Sequence, residues 1–349
     1  MIDRPLRIAV DAMGGDLGPL EVVKGIELAA HKLPAGSKVI VVGDADQIGQ
    51  QVAAVDAAGV EVFMHHAPRV IGPSDRPSEA FRPDCDASVA VSARLVRSGD
   101  AEAFISIGNT GAAMAASLRQ LGAIPGVDRP AIATVMPTLG LPTVMLDMGA
   151  TVDCEPDQLL QFALMGLVYC RSVLGRPEPR LALLSNGEEA SKGNDLTKRT
   201  HKLLKELVPE FVGNIEAGEA FRGRVDVVVC DGFDGNVMLK CAEGVAELVL
   251  RAMREELSRH PWTWAALVPL RPALRRLRAR LDYREFGGAP LLGVNGVCIV
   301  GHGRSDAVAV CNAIRVAQRA VGNELIAGIE RAIEEVDRRR AAVNRVGVA

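Results

Sequence analysis

Short apolar runs, most of them rich in β-branched residues, recur along this chain with enough sequence between them for a helix, a spacing that admits few folds. The runs are Leu6 to Val10, Val39 to Val42, Val60 to Phe63, Ala103 to Ile107, Ile132 to Met136, Thr143 to Leu146, Leu181 to Leu184 and Val225 to Cys230. Helical spacing fills segments such as Asp157 to Leu174 and Leu196 to Val208, and a long helical pattern runs from about Asp306 to Arg340. The alternation predicts an α/β fold with a mostly parallel sheet covered by helices on both faces. Ligands in such sheets bind outside the carboxyl ends of the strands.

Three of the runs end in a glycine turn that leads toward a helix: Asp11-Ala-Met-Gly14-Gly15-Asp16, Gly108-Asn109-Thr110-Gly111 and Asp231-Gly232-Phe-Asp234-Gly235-Asn236. Free backbone N–H groups and the helix macrodipole point the same way at such junctions, which suits them to anions. The third turn is the richest. It joins an apolar strand to a helix whose apolar positions 237, 241, 245 and 248 share one face, and Asn236 stands where an N-cap or an anion donor would stand. The same residues also suit a tight turn with a simple cap, and Asn109 or Thr110 is equally an ordinary cap.

Asp11, Asp16, Asp147, Asp231 and Asp234 at strand ends would also suit Mg²⁺. Carboxylates there repel phosphate unless offset, so Asp11 and Asp231 are expected to bond backbone amides of neighbouring loops. A further strand exit, Leu183-Leu-Ser-Asn-Gly-Glu-Glu-Ala-Ser-Lys-Gly-Asn-Asp195, carries Lys192. A lysine so placed offers a compact charge to phosphate, or is a solvated loop residue. Tyr283 to Val297 and Val300 to Asp306 read as two more glycine-rich loops.

With 349 residues, 48% of them hydrophobic, the chain can bury a large core as one domain or two lobes. A net charge of −3 and only 3% aromatics argue against a nucleic-acid partner. The seven cysteines are scattered without a C-x-x-C pair, which points to a reduced cytosol. No signal-peptide pattern opens the chain and no run approaches the ~20 apolar residues of a membrane span. Walker A, complete G-x-G-x-x-G, H-E-x-x-H and G-x-S-x-G motifs are absent, and the histidines lack zinc spacing, with His65-His66 expected in a loop. The segments Arg69 to Pro83 and Gly175 to Pro179 read as long loops, the second a candidate lobe boundary.

Residues 251–284 form a unit of another kind, holding Trp262 and Trp264 and, between His260 and Leu281, five arginines and no acid. Leu267, Val268, Leu270, Leu274, Leu277 and Leu281 accompany Arg271 and Arg275. One reading is a helical hairpin at a dimer interface with a solvated basic face. The other is an amphipathic lip on an anionic membrane, where each basic residue contributes up to ~1 kcal/mol.

Together these residues resemble the bacterial phosphate acyltransferase family, whose members make acyl phosphate from acyl-acyl carrier protein and inorganic phosphate for phospholipid synthesis. The resemblance follows the chain in order through Ile8-Ala-Val-Asp-Ala-Met-Gly-Gly-Asp16, Gly108-Asn-Thr-Gly-Ala112, Lys192-Gly-Asn194, Asp231-Gly-Phe, Gly235-Asn-Val, Leu239-Lys240, Glu243-Gly244, Gly287-Gly-Ala289 and His302-Gly303. It departs at Leu17-Gly18-Pro19, at Ile107, and at Ser78 to Ser88, where relatives carry a run of Arg and Lys.

The resemblance implies a three-layer α/β/α fold akin to phosphotransacetylases and isocitrate-type dehydrogenases, a homodimer, and neither metal nor other cofactor. It also implies a cytoplasmic protein touching the inner membrane through residues 251–284, with Trp262, Trp264, Leu267, Arg271 and Arg275 at the contact. In the implied reaction Lys192 and Asn236 are catalytic, the first holding phosphate and the second, or the Val237 amide, stabilising the oxyanion. Asp11, Gly14, Gly15, Asn109, Thr110, Gly111, Asp231, Gly232 and Gly235 form the substrate-binding shell. Two other classes fit the α/β pattern: a metal-dependent dehydrogenase on a related fold, and a non-catalytic membrane scaffold for lipid enzymes.

Overall fold

The computed structural model describes residues 4–72, 74–82, 84–258, 272 and 287–346. Seven strands form one sheet in the order β3 (Glu61–His66), β2 (Lys38–Gly43), β1 (Arg7–Asp11), β4 (Ala103–Ile107), β12 (Val297–Gly301), β11 (Ala289–Leu292) and β5 (Ala131–Ile132). Only β11 runs against its neighbours. A second sheet orders β6 (Thr134–Met136), β7 (Thr143–Leu146), β10 (Val227–Val229), β8 (Leu181–Leu184) and β9 (Phe211–Ile215), with β6 antiparallel and the rest parallel.

Alternate residues of the same strands feed two separate cores, as the two-residue period of a strand requires. Ile8, Val10, Val39, Val41, Val144, Leu146, Val227 and Val229 join one core, while Ala9, Ile40, Val42, Met145 and Val228 join the other. On the first face lie α1 (Pro19–Ala30), α5 (Pro156–Ser172), α6 (Asp195–Leu207), α9 (Ala307–Gly322) and α10 (Leu325–Val346). On the second lie α3 (Ser88–Ser98), α4 (Thr110–Gln120) and the start of α8 (Gly232–Ser258). Burial on both faces explains why most of these strands are written as unbroken apolar runs. The short helices α2 (Ala45–Ala53) and α7 (Ala217–Ala220) and a 3₁₀ helix at Pro77–Phe81, inside the segment read as a long loop, complete the described fold.

The chain passes from one sheet to the other at Ala133, whose N–H donates to the Pro290 carbonyl. Ile132 pairs with Leu291 while Thr134 pairs with Met145, near the carboxyl end of β7. By register the crossing lies at the carboxyl end of β7 in the second sheet and level with the middle of β12 and β4 in the first, since Pro290 pairs with Ile299 and Ile299 with Ile105.

Several expectations are corrected. The run Ile132 to Met136 is two strands of different sheets, because the crossing at Ala133 interrupts it. Residues Gly175 to Pro179 join α5 to β8 and mark no change of sheet. His65 and His66 end β3, paired with Val42 and Gly43, and His66 accepts a hydrogen bond from the Ala45 amide at 3.2 Å. The two last glycine-rich loops contain β11 and β12, whose hydrogen bonds outweigh their local turn chemistry. The terminal helical pattern breaks between α9 and α10, where Glu324 adopts φ 52°. Residues 251–258 continue α8; Trp262, Trp264, Leu267, Arg271 and Arg275 lie outside the described residues.

Candidate active site

Each sheet has a point where its strand order reverses, and there a crevice opens at the carboxyl ends. In the first, β2 and β3 extend to one side of β1 and β4 to the other, so the Asp11 and Gly108 turns leave adjacent strands. In the second, β10 lies between β7 and β8, with Val229 opposite Leu183. The Lys192 loop and the Asp231 turn thus leave neighbouring strands.

The first two turns touch backbone to backbone. A Cβ on Gly14 would meet the Ile107 carbonyl oxygen at 2.3 Å, and one on Gly108 would meet the Gly14 oxygen at 2.2 Å. Close approach therefore demands glycine here. The Gly14 and Gly15 amides donate to no group among the described residues.

Asp11 is buried and turned inward. It accepts from the Met13 amide at 3.2 Å and the Ser106 hydroxyl at 2.8 Å, with Ser88 as a further side-chain partner. Burial pushes its pKa up against those hydrogen bonds. Asp11 thus organises its own turn and two hydroxyls, where amides of neighbouring loops were expected. Asn109 caps α4, its Oδ1 accepting from the Ala112 amide at 3.0 Å, and its Nδ2 donates to Gly72 O at 2.9 Å. Thr110 beside it is exposed, with no side-chain hydrogen bond among the described residues. Gly111 lies against Pro77, whose Cγ would be 2.8 Å from a Cβ.

In the third turn α8 begins at Gly232, so the cap is Asp231 and not Asn236. Asp231 Oδ1 accepts from the Asp234 amide at 2.8 Å, its carbonyl accepts from Gly235, and the Gly232 amide donates to Thr151 O. Most of the free donors expected at this turn are thereby used. Val237, the sixth residue of α8, has its amide in the helical ladder, which removes it as an oxyanion donor. The Asn236 side chain is exposed, packs near Gly149, and has no hydrogen-bond partner among the described residues.

Asp147 has the role expected of Asp231. Fully buried, it accepts from the amides of Ile132 at 2.8 Å, Ala150 at 3.1 Å and Thr151 at 2.6 Å, tying β5 to the loop against which α8 starts. Its pKa is raised by burial and held back by those donors. An Asp closing an otherwise apolar strand was the only signal for it in the sequence. Beside it the Cys154 thiol is pushed up to about 12, chiefly by burial and then by the Asp147, Asp231 and Asp153 charges. It is no nucleophile near neutral pH. Among the described residues no group of three His, Cys, Asp or Glu is arranged to hold a metal ion.

Lys192 is exposed, its ammonium unpaired among the described residues. Its stem crosses Gly187, where a Cβ would stand 2.7 Å from Lys192 Cγ. The loop is closed by the Lys192 amide on Glu189 O at 3.0 Å and the Gly193 amide on Asn186 Oδ1 at 2.8 Å, and Asn194 caps α6 through the Thr197 amide. A free cation and a free carboxamide therefore stand on neighbouring strand exits. That pair can hold a phosphate and polarise a carbonyl.

A family model described as "Fatty acid synthesis protein" matches residues 6–327. A protein of Pelotomaculum thermopropionicum named "Phosphate acyltransferase" is 48% identical over 98% of this chain and 99% of its own length. One of the same name from Geobacter sulfurreducens is 46% identical over 90% of this chain and 91% of its own. Among solved structures, a phosphotransacetylase from Streptococcus pyogenes shares the fold at TM-score 0.61 and 15% identity, covering 91% of this chain and 94% of its own. The EutD phosphotransacetylase from Staphylococcus aureus does so at 0.61 and 14%, covering 91% and 95%.

Proposed function

The chain belongs to the fatty acid synthesis protein family that includes these phosphate acyltransferases, and we propose that it moves an acyl group from acyl carrier protein onto inorganic phosphate. One observation carries the site assignment: β8 and β10 are hydrogen-bonded neighbours, so Lys192 and Asn236 rise from adjacent strand exits. Phosphate near neutral pH is already anionic and needs no enzyme nucleophile.

Held by Lys192, with the Gly14 and Gly15 amides and the Thr110 hydroxyl as further donors in the binding shell, a phosphate oxygen attacks the thioester carbonyl. The Asn236 carboxamide donates to the developing oxyanion. The C–S bond breaks as the C–O bond is completed, and the proton of monohydrogen phosphate ends on the carrier thiol. The products are acyl phosphate and free acyl carrier protein, the former an activated acyl donor for phosphatidic acid synthesis.

The test is release of carrier thiol from acyl-acyl carrier protein, measured with and without added phosphate. Phosphate-dependent release with an acyl phosphate trapped by hydroxylamine supports the reading; no release favours a scaffold, and Mg²⁺-dependent nicotinamide reduction favours a dehydrogenase.

The protein acts as a homodimer attached peripherally to an anionic membrane through residues 251–284. Support comes from the outer face of α8, where Val237, Val245, Leu248 and Val249 are exposed at 47 to 66% and Cys241 is also exposed. No described helix is long and apolar enough to cross a membrane. Replacing Trp262 and Trp264 by Ser should weaken flotation with anionic liposomes while turnover in solution persists; undiminished flotation leaves the segment to dimerisation alone.

A further inference from the structure

Behind the Lys192 loop lies a buried polar pair that the reaction itself does not use. His201 on α6 and Asn214 on β9 are 8% and 9% exposed, and His201 Nδ1 lies 2.8 Å from Asn214 Oδ1. Asn214 Nδ2 donates to the Glu189 carbonyl at 3.0 Å, the same oxygen that accepts the Lys192 amide. That donation fixes which way the carboxamide faces, so Nδ1 of His201 carries the hydrogen between the two side chains. The imidazole is held edge-on against Phe211, with ring centroids 5.1 Å apart. One residue after Asn214, the Ile215 carbonyl accepts the Ser185 amide at 2.9 Å. The loop is thus gripped at its root by backbone and at its crest by one side chain.

We propose that His201 and Asn214 are positioning residues that set the Lys192 loop for phosphate. A buried polar pair is costly unless its bonds are made, and here every bond in the chain leads to the turn that aims the lysine. The imidazole orients the carboxamide, the carboxamide pins Glu189 O, and the Lys192 amide closes on that oxygen. The inference rests on the reading of Lys192 as the phosphate ligand.

The experiment is steady-state kinetics of the full chain with phosphate as the varied substrate. His201→Phe removes the Nδ1 donor, and Asn214→Asp keeps an acceptor for His201 while setting an oxygen against the Glu189 carbonyl. Each should raise KM for phosphate roughly five- to ten-fold, the factor of one ordinary hydrogen bond, with KM for the acyl donor unmoved. His201→Asn, whose amide nitrogen overlays Nδ1, should restore most of the loss. In a Lys192→Ala background neither change should raise KM further, because the residue they place is gone.

An unchanged KM for phosphate in Asn214→Asp overturns the proposal, as does an undiminished effect in the Lys192→Ala background. If His201→Phe does not fold, Asn214→Asp and His201→Asn still decide. Should Lys192→Ala alone leave KM for phosphate unchanged, the phosphate reading of Lys192 falls and takes this inference with it; a large Lys192→Ala effect beside silent partners removes only the positioning role.

Discussion

A Cβ on Gly235 would stand 1.9 Å from the Asp147 carbonyl oxygen, so the first turn of α8 and the end of β7 meet at a spacing only glycine permits. Asp147 in turn binds three amides of its surroundings. Gly235→Ala must push α8, and Asn236 with it, away from this loop. Its expected cost is ~1–3 kcal/mol of stability. The fall in kcat/KM should be about 10²-fold, since displacements near 1 Å at a reacting centre cost that much. Gly49→Ala is the control: inside α2 with nothing within 4 Å, it should gain ~0.5–1 kcal/mol. Urea denaturation and initial rates read both, and wild-type behaviour of Gly235→Ala would remove the steric account.

The Lys192 ammonium and the Asn236 carboxamide have no partner among the described residues. Lys192→Ala should raise KM for phosphate by at least about ten-fold, since a charge-assisted contact contributes ~1.5–3 kcal/mol. Asn236→Ala should lower kcat by roughly 10²-fold, as loss of one oxyanion donor does, with the far-ultraviolet spectrum unchanged. Wild-type constants in both variants would move the chemical centre elsewhere.

The layer order and the strands β1, β4, β7 and β8 are legible in the sequence because burial on both faces keeps their interiors apolar, Ser106 of β4 excepted. Less legible are β9, with Gly213 and Asn214 inside it, and β11 and β12, whose glycines and Pro290 read as loop until a neighbouring strand supplies hydrogen bonds. In the site, Lys192 and Asn236 are visible as residue types at strand exits. Asn109 caps α4 as its type suggests, but the cap of α8 is not assigned correctly, because Asp231 and Asn236 are both good capping residues and only the start of α8 decides between them. The crowding of Gly235 on Asp147 joins segments far apart in sequence, and no local pattern carries it.

Two buried acids predict an unusual pH dependence. Burial raises the pKa of both Asp11 and Asp147 from 3.8, against the hydrogen bonds they accept. An acid whose pKa is higher folded than unfolded holds its proton better in the native chain. Its contribution is complete below 3.8 and is lost as pH rises through the folded pKa. The stability of the wild type relative to Asp11→Asn should therefore decline as pH increases above that value. Chemical denaturation of the pair across a pH series checks the sign, and a relative stability that grows with pH would show Asp11 to be held as a carboxylate.

Thiol chemistry separates two cysteines near the start of α8. Cys154 is pushed up to about 12 and donates to Thr151 O at 3.3 Å, whereas Cys241 is exposed on the helix surface. The thiolate is the reactive form. Iodoacetamide near neutral pH should spare Cys154 in the folded protein and label it once the chain is unfolded in urea, as read by peptide mass spectrometry. Labelling of Cys154 in the folded protein at its unfolded rate would contradict the raised thiol pKa.

Thr200 lies on α6 with no exposed surface, and its Oγ1 has no hydrogen-bond partner among the described residues. A buried hydroxyl left unbonded costs ~1–3 kcal/mol relative to an apolar group of the same shape. Thr200→Val keeps the branched outline and the packing of α6 on the sheet while removing that hydroxyl. The variant should be more stable by about 1 kcal/mol, a rise in Tm of roughly 2 °C for a chain of this size. Calorimetry of the two proteins under one buffer decides it. A loss of stability beyond about 1 kcal/mol would mean that the hydroxyl is bonded in solution and that α6 is held to the sheet by more than its apolar face.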